Sequence, residues 1–221
     1  MLKRINIICG HYGSGKTNLA LNLAMDLKRG GAGVVLVDLD IVNPYFRSAD
    51  YTDLMEKNGI KVISPSTAGT TVDAPALTGE ILSVFDKTGD SIIIDVGGDD
   101  AGAYALGRFS NRIAAQGEYE MLYVINKYRK LISTPQEAVE LLREVESAGS
   151  LRATGIVNNS HLCDLTSAQD ILSSVPYAEQ TAALAGLPLV MTAVPKKLER
   201  KLAGKIENLY PVEIIVKLPW N

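Results

Sequence analysis

Cysteine is scarce in this sequence: Cys9 and Cys163 are the only two, they lie far apart, and they form no C-x-x-C pair. That excludes a disulfide framework and a metal cluster built on paired cysteines, and leaves reduced, partly buried thiols as the expectation. A long run of Lys or Arg is also missing, and the formal net charge is -3. Without a basic stripe there is no electrostatic footprint for nucleic acid or an anionic membrane surface. The opening stretch MLKRINIICGHYGSGK holds no apolar segment long enough for a signal peptide or a membrane span, so a cytoplasmic protein is expected. Internal repeats, low-complexity tracts and linkers are absent too, so residues 1–221 are expected to form a single domain.

What is present is apolar content, at 47% of 221 residues, which is enough for a sizeable core. It is organised as short apolar runs, each followed by a longer amphipathic segment. Strands are expected at INIIC (5–9), GVVLVD (33–38), IKVIS (60–64), SIIIDV (91–96), MLYVIN (121–126), ATGIVN (153–158) and PLVMTAV (188–194), with a last short strand in the tail NLYPVEIIVKLPWN. Between them, Leu19, Leu23 and Leu27 share one helical stripe ahead of Gly30-Gly31, and TPQEAVELLREVESAG opens with Thr134, Pro135 and an acidic turn and stops at Gly149. Further helices are expected over 75–87, 100–116 and 166–174. The alternation predicts an α/β fold in three layers: a mainly parallel sheet of seven or eight strands with helices on both faces. The tail is too short and too poor in basic residues to be a membrane-binding amphipathic helix.

The first apolar run leads into GHYGSGKTN, with the spacing Gly10-x-x-x-x-Gly15-Lys16-Thr17. A loop that cradles polyphosphate needs inward-pointing N–H groups and positive φ angles, which Gly10, Gly13 and Gly15 allow. The following helix aims its N-terminal amides at the anion, Lys16 reaches the terminal phosphates and the Thr17 hydroxyl ligates Mg²⁺. The loop thus nominates Gly10, His11, Tyr12, Gly13, Ser14, Gly15, Lys16, Thr17 and Asn18 as nucleotide-binding residues. The second strand ends LVDLDIVNPYFRS, so Asp38 and Asp40 lie just past the carboxyl edge of the sheet, on the same side by alternation. One carboxylate there suits a place near Mg²⁺ and the other the orientation of an attacking water. Asp95, at the end of IIIDVGG, suits a water-mediated metal contact, and Gly97 and Gly98 let the backbone close on a γ-phosphate.

Together GHYGSGKT, VVLVDLDIVNPYFRS and IIIDVGGDDAGA resemble the MinD/ParA group of P-loop ATPases, also described as the CobQ/CobB/MinD/ParA nucleotide-binding domain. The resemblance spans most of the chain and implies the P-loop NTPase fold, with ATP and Mg²⁺ as cofactors and hydrolysis often coupled to dimerisation. It implies that Asp40 is the water-orienting aspartate, that Asp38 and Asp95 stand on the magnesium side with Thr17, and that Lys16 keeps its loop role. GIVNNS matches the segment whose asparagine meets adenine, with Asn159 favoured over Asn158, and VPYAEQTAALAGLPLV falls where base-contacting loops lie, which adds Pro176 and Tyr177. INKYRK superficially resembles the N-K-x-D guanine reader, but position 129 is Arg. Guanine's N1 and N2 donors then lack a carboxylate, so ATP is expected.

One departure from the group stands out. The second loop position, usually a lysine that reaches a dimer partner's nucleotide, is His11, which matches an ammonium in neither reach nor charge. Arg47 is the candidate trans cation, with Lys127 and Arg129 next. Tyr45 and Phe46, and the stretch SPSTAGTTVDAPAL, are candidates for a surface that meets a partner. The leading expectation is an ATPase that changes shape or association state, with a nucleotide-dependent homodimer and an unidentified protein partner or small-molecule substrate. The alternatives are an ATP-dependent small-molecule ligase or kinase of the dethiobiotin-synthetase-like type, and a non-hydrolysing regulatory module.

Overall fold

Strand β1 (Ile5–Cys9) is buried at every position, as a central strand covered on both faces must be. In the computed structural model, which describes residues 2–40, 48–64, 74–86 and 89–216, it lies in the middle of an eight-stranded parallel sheet. The other strands are β2 (Val34–Leu39), β3 (Lys61–Ile63), β4 (Ser91–Val96), β5 (Tyr119–Ile125), β6 (Gly155–Asn158), β7 (Leu189–Pro195) and β8 (Leu209–Val212). Their order is β3-β2-β4-β1-β5-β6-β7-β8, and every neighbouring pair is parallel. The chain fills one side of β1 first and then crosses to build the other, so the order switches at β1. Such a switch opens a crevice at the carboxyl ends of the strands.

The described helices are α1 (Lys16–Arg29), α2 (Thr52–Lys57), α3 (Ala74–Asp86), α4 (Asp100–Gly107), α5 (Ser110–Ala115), α6 (Pro135–Gly149), α7 (Ala168–Ala185) and α8 (Glu199–Leu202). They divide between the sheet's faces. Ile8, Leu36 and Ile93 pack with Leu19 and Leu23 of α1, whereas Ile7, Val37 and Ile94 pack with Phe85, Leu106, Leu142 and Tyr177 from α3, α4, α6 and α7. Strand alternation thus produces a core on each side. Leu27, the third member of the α1 stripe, packs against the edge of the first core.

The caps explain several boundaries. Thr134 and Glu137 form a reciprocal capping box at the start of α6, with Pro135 in its first turn. Its end differs slightly from expectation: Gly149 is still helical, and Ser150 takes the left-handed cap at φ 52°. The expected helix over 100–116 is divided at Arg108–Phe109 into α4 and α5, with Phe109 turned into the core. A larger correction concerns α7, which runs on through Pro176 to Ala185 where loops were expected. A proline inside a helix costs about 3 kcal/mol, but Ile171, Ser174, Tyr177, Ala178, Thr181 and Ala182 form a continuous buried stripe. Packing of that stripe outweighs the lost backbone bond. No helix among the described residues is long and apolar enough to cross a membrane.

Candidate functional site

The loop between β1 and α1 has the geometry that its glycines predict. Gly10 and Gly15 have φ of +144° and +89°, and a Cβ would come within 2.4 Å of the Val124 carbonyl oxygen at the first and 2.2 Å of Asn159 Nδ2 at the second. Any other residue would meet both backbone strain and a collision. The loop turns on itself through Ser14 N–H donating to the His11 carbonyl at 3.1 Å. Helix α1 then starts at Lys16 with no side-chain cap on its first turn. Its leading amides are available to an anion.

Lys16 is only 7% exposed, and its ammonium donates to the His11 carbonyl at 3.2 Å. Burial pushes its pKa below the ordinary lysine value, while the carboxylates of Asp95, Asp40 and Asp99 favour its charge. Asp38 and Asp95 are in register on β2 and β4 and both are buried. Paired positions on adjacent parallel strands project the same way, so these like charges sit side by side, an arrangement that a cation relieves. Asp38 also accepts from the Asp40 N–H at 2.8 Å, which fixes the chain as it leaves β2. Beyond β4, a Cβ on Gly97 would lie 3.2 Å from Asp40 Oδ1, and one on Gly98 would lie 2.6 Å from Tyr12 N and 2.8 Å from Lys16 Nζ. Gly98 therefore lets the end of β4 rest directly on the phosphate loop, and Gly97 lets Asp40 and the start of α4 close on β4.

A cleft of about 320 Å³ opens here, lined by loop residues Tyr12 to Asn18, by Asp40, by Asn126 and Arg129 after β5, by Asn159, His161 and Cys163 after β6, and by Val216. Arg129 Nε donates to the Gly13 carbonyl at 2.8 Å and Asn159 Nδ2 to the Ser14 carbonyl at 2.7 Å. Asn18 and Asn22 bind the backbone of Glu213, and Asn18 also accepts from Ile215 and Val216 N–H, so α1 holds the segment that brings Val216 to the cleft. Burial first, and then the Arg129 charge, push the His161 imidazole down to about 4, so it is neutral at physiological pH. A smaller cleft of about 290 Å³, lined by Lys28, Gly33, Lys61 and Asp90 among others, opens beside the starts of β2 and β3, at the end of the sheet away from the phosphate loop.

Lys16, Thr17, Asp40 and Asn159 therefore meet around one cleft, as does Arg129. Other expected positions fall elsewhere. Asn158 is fully buried, donating to Ser174 Oγ at 2.9 Å and accepting from Ser160 N–H at 3.2 Å, so its amide ties β6 to α7 rather than facing the cleft. Pro176 lies within α7, and Tyr177 is in the core with its hydroxyl donating to the Ile132 carbonyl at 2.5 Å; neither lines the cleft, because the segment expected as a loop is helix. Gly10 and His11 shape the loop from behind, and the His11 ring nitrogen Nδ1 is 2.9 Å from the Tyr12 carbonyl, which it meets as a donor. Lys127 donates to the Ser173 carbonyl at 3.0 Å, away from the cleft lining. Arg47, Tyr45, Phe46 and most of SPSTAGTTVDAPAL lie outside the described residues. Asn126, His161, Cys163 and Val216 were not anticipated. For the first three a signal existed, since they follow the strands next to β1 at the edge where parallel sheets bind ligands.

Among solved structures, the chain is similar in fold to cell division protein FtsY from Thermotoga maritima, at 22% identity and a TM-score of 0.61, with 88% of this chain and 63% of that one covered. FtsY from Mycoplasma mycoides gives 16% identity and a TM-score of 0.61 over 88% and 60% of the chains. The signal recognition particle 54 kDa protein from Aeropyrum pernix, solved in complex with GDP, gives 20% and 0.57 over 85% and 40%. The chain thus spans less than two thirds of the length of these structural relatives. No curated protein matches it significantly. The sequence profile described as the CobQ/CobB/MinD/ParA nucleotide binding domain matches residues 5–221. With a glycine loop, buried lysine and strand-end aspartates assembled at the sheet's switch point, the chain belongs to that family of P-loop nucleotide-binding domains.

Proposed function

We propose that the chain binds Mg-ATP in the 320 Å³ cleft and hydrolyses it, using hydrolysis to change its conformation or its association state. The observation that carries this reading is the buried Lys16 ammonium, set behind the phosphate loop and balanced by Asp95, Asp40 and Asp99. Desolvation outweighs those carboxylates and lowers the Lys16 pKa, and a polyphosphate entering the cleft that Lys16 lines would favour its charged form. The loop amides and the start of α1 bind the β- and γ-phosphates, and Lys16 stabilises charge as it moves to the leaving oxygen. Asp40, against Gly97 and close enough to favour the Lys16 charge, orients the attacking water. Thr17, Asp38 and Asp95 would hold magnesium, which supplies neutralisation of the phosphate oxygens when bound. Among the described residues no three His, Cys, Asp or Glu side chains form a metal cage; magnesium characteristically rests on few protein ligands plus phosphate and water.

Calorimetry and steady-state turnover test this reading together. Lys16→Ala should abolish measurable Mg-ATP binding, and Asp40→Asn should bind ATP but lose turnover by about a hundredfold or more. Unchanged turnover in Asp40→Asn would remove the catalytic assignment, and unchanged affinity in Lys16→Ala the phosphate site. Light scattering with and without nucleotide tests association: a mass increase with ATP is expected, and a constant monomer mass would refute that part of the reading.

A further inference from the structure

We propose that His161 is the residue that selects the base, donating a hydrogen bond from Nε2 to a ring nitrogen of adenine. This rests on the reading that the cleft holds a nucleoside triphosphate. His161 lines the cleft and is 6% exposed. Its Nδ1 accepts from the Cys163 N–H at 3.3 Å, which leaves the proton of the neutral imidazole on Nε2. The backbone around the ring is held as well, with His161 N–H on the Asn159 carbonyl at 2.9 Å and the His161 carbonyl accepting from Asn126 Nδ2 at 3.2 Å. Nε2 alone has no partner among the described residues, although it is buried. A buried donor left unmet is costly, so a ligand that brings an acceptor to it gains that energy back.

The position suits a base. His161 follows β6 two residues beyond Asn159, the side chain that holds the Ser14 carbonyl of the phosphate loop, and its ring lines the same cleft. Asp40, the one carboxylate lining the cleft among the described residues, lies on the opposite side, after β2. The charged group beside His161 is Arg129, which has donors only. Approached along its Watson–Crick edge, guanine would turn N1–H and N2–H donors toward the donors of His161 and Arg129, whereas adenine would turn its N1 acceptor toward them, with its N6 donor beside it.

The test is calorimetric titration of Mg-ATP, Mg-GTP and magnesium tripolyphosphate into the full chain and into its His161→Phe and His161→Gln variants. ATP should bind the native chain more tightly than GTP. His161→Phe should lose about tenfold in ATP affinity while tripolyphosphate and GTP stay unchanged, so that the base preference collapses. His161→Gln, which keeps an N–H donor, should stay within about threefold of the native chain. ATP affinity unaltered in His161→Phe, or an equal loss for tripolyphosphate, would overturn the assignment while leaving the phosphate site in place. A native chain that binds neither tripolyphosphate nor nucleotide would instead bring down the underlying reading.

Discussion

Glu146 is a buried carboxylate outside the cleft with three hydrogen-bond donors, and its removal gives a graded prediction. Its side chain is 3% exposed near the end of α6, where Oε1 accepts from the Ala153 N–H at 2.9 Å and Oε2 accepts from Arg143 at 2.7 Å and Arg152 at 2.9 Å. The Arg143 and Arg152 side chains are 47% and 79% exposed, so solvent screens both pairs and together they contribute about 1 kcal/mol or less. The larger cost of Glu146→Ala is the buried Ala153 N–H left without an acceptor, about 1–3 kcal/mol. The total is about 1–4 kcal/mol, or roughly 2–16 °C in Tm for a chain of this size. Glu146→Gln keeps an oxygen on the Ala153 N–H and should cost only about 1 kcal/mol. Burial works against ionisation of Glu146, but the hydrogen bonds from Arg143, Ala153 and Arg152 outweigh it and hold the carboxyl below its usual range. A group whose folded pKa is depressed stabilises fully above its unfolded value, about 4.3, and loses that contribution as pH falls through the folded one. The gap between native and Glu146→Ala chains should therefore narrow from pH 7 to pH 3. Urea melts of the three proteins at both pH values check this, together with ATP titrations that should not change. An alanine variant as stable as the native chain, or a glutamine variant as unstable as the alanine one, would refute the reasoning.

Other perturbations are simpler to state. Native-state alkylation followed by mass spectrometry should label Cys163, half-buried in the cleft wall, and spare Cys9, whose fully buried thiol is pushed up to about 12; Mg-ATP should slow labelling in proportion to the occupied fraction, and an unchanged rate would place the nucleotide elsewhere. Tyr123 is fully buried with no partner for its hydroxyl among the described residues, so Tyr123→Phe should raise stability by about 1 kcal/mol, with a loss of that size counting against it. Gly98→Ala would press a methyl to within 2.6 Å of the phosphate-loop backbone and should weaken ATP binding by about tenfold or more. Gly79→Ala in α3, where a Cβ meets nothing within 4 Å among the described residues, is its control and should add about 0.5–1 kcal/mol of stability with affinity intact.

The legible parts of the molecule are those whose physics is local. Every expected strand is present to within a residue or two, because an apolar run buried on both faces needs no alternation to be recognised. The phosphate loop is equally local, since its glycine spacing and the helix that follows are contiguous. What escaped notice depends on distant packing. Pro176 signals a break in sequence, yet α7 continues because its buried stripe has α6 and β6 to pack on. The break between α4 and α5 has its counterpart at Gly107, where a Cβ would lie 2.7 Å from the Ala148 carbonyl of α6, a closeness no single segment announces. Resemblance alone favours Asn159 over Asn158, and the register of β6 gives the physical reason: it sends Asn158 into the fold and Asn159 to the cleft.

Those same contacts change how the far wall of the cleft is understood. A loop that turns its N–H groups inward to meet phosphate must turn carbonyls outward, and those carbonyls need donors of their own. Here the His11 carbonyl is met by Lys16, Gly13 by Arg129 and Ser14 by Asn159, donors drawn from α1 and from the segments after β5 and β6. Residues that suggest base reading or a trans cation thus already hold the loop from within the same chain. Asn159 uses one hydrogen of its amide on Ser14, which leaves the second for a ligand in the cleft. Arg129 spends Nε on Gly13 and keeps the rest of its guanidinium at the cleft. An arginine already anchored on the loop loses less conformational freedom when it meets an anion than one that must swing in from another molecule. Arg129 thus places a positive charge beside the loop from within the same chain, at a loop whose second position is His11.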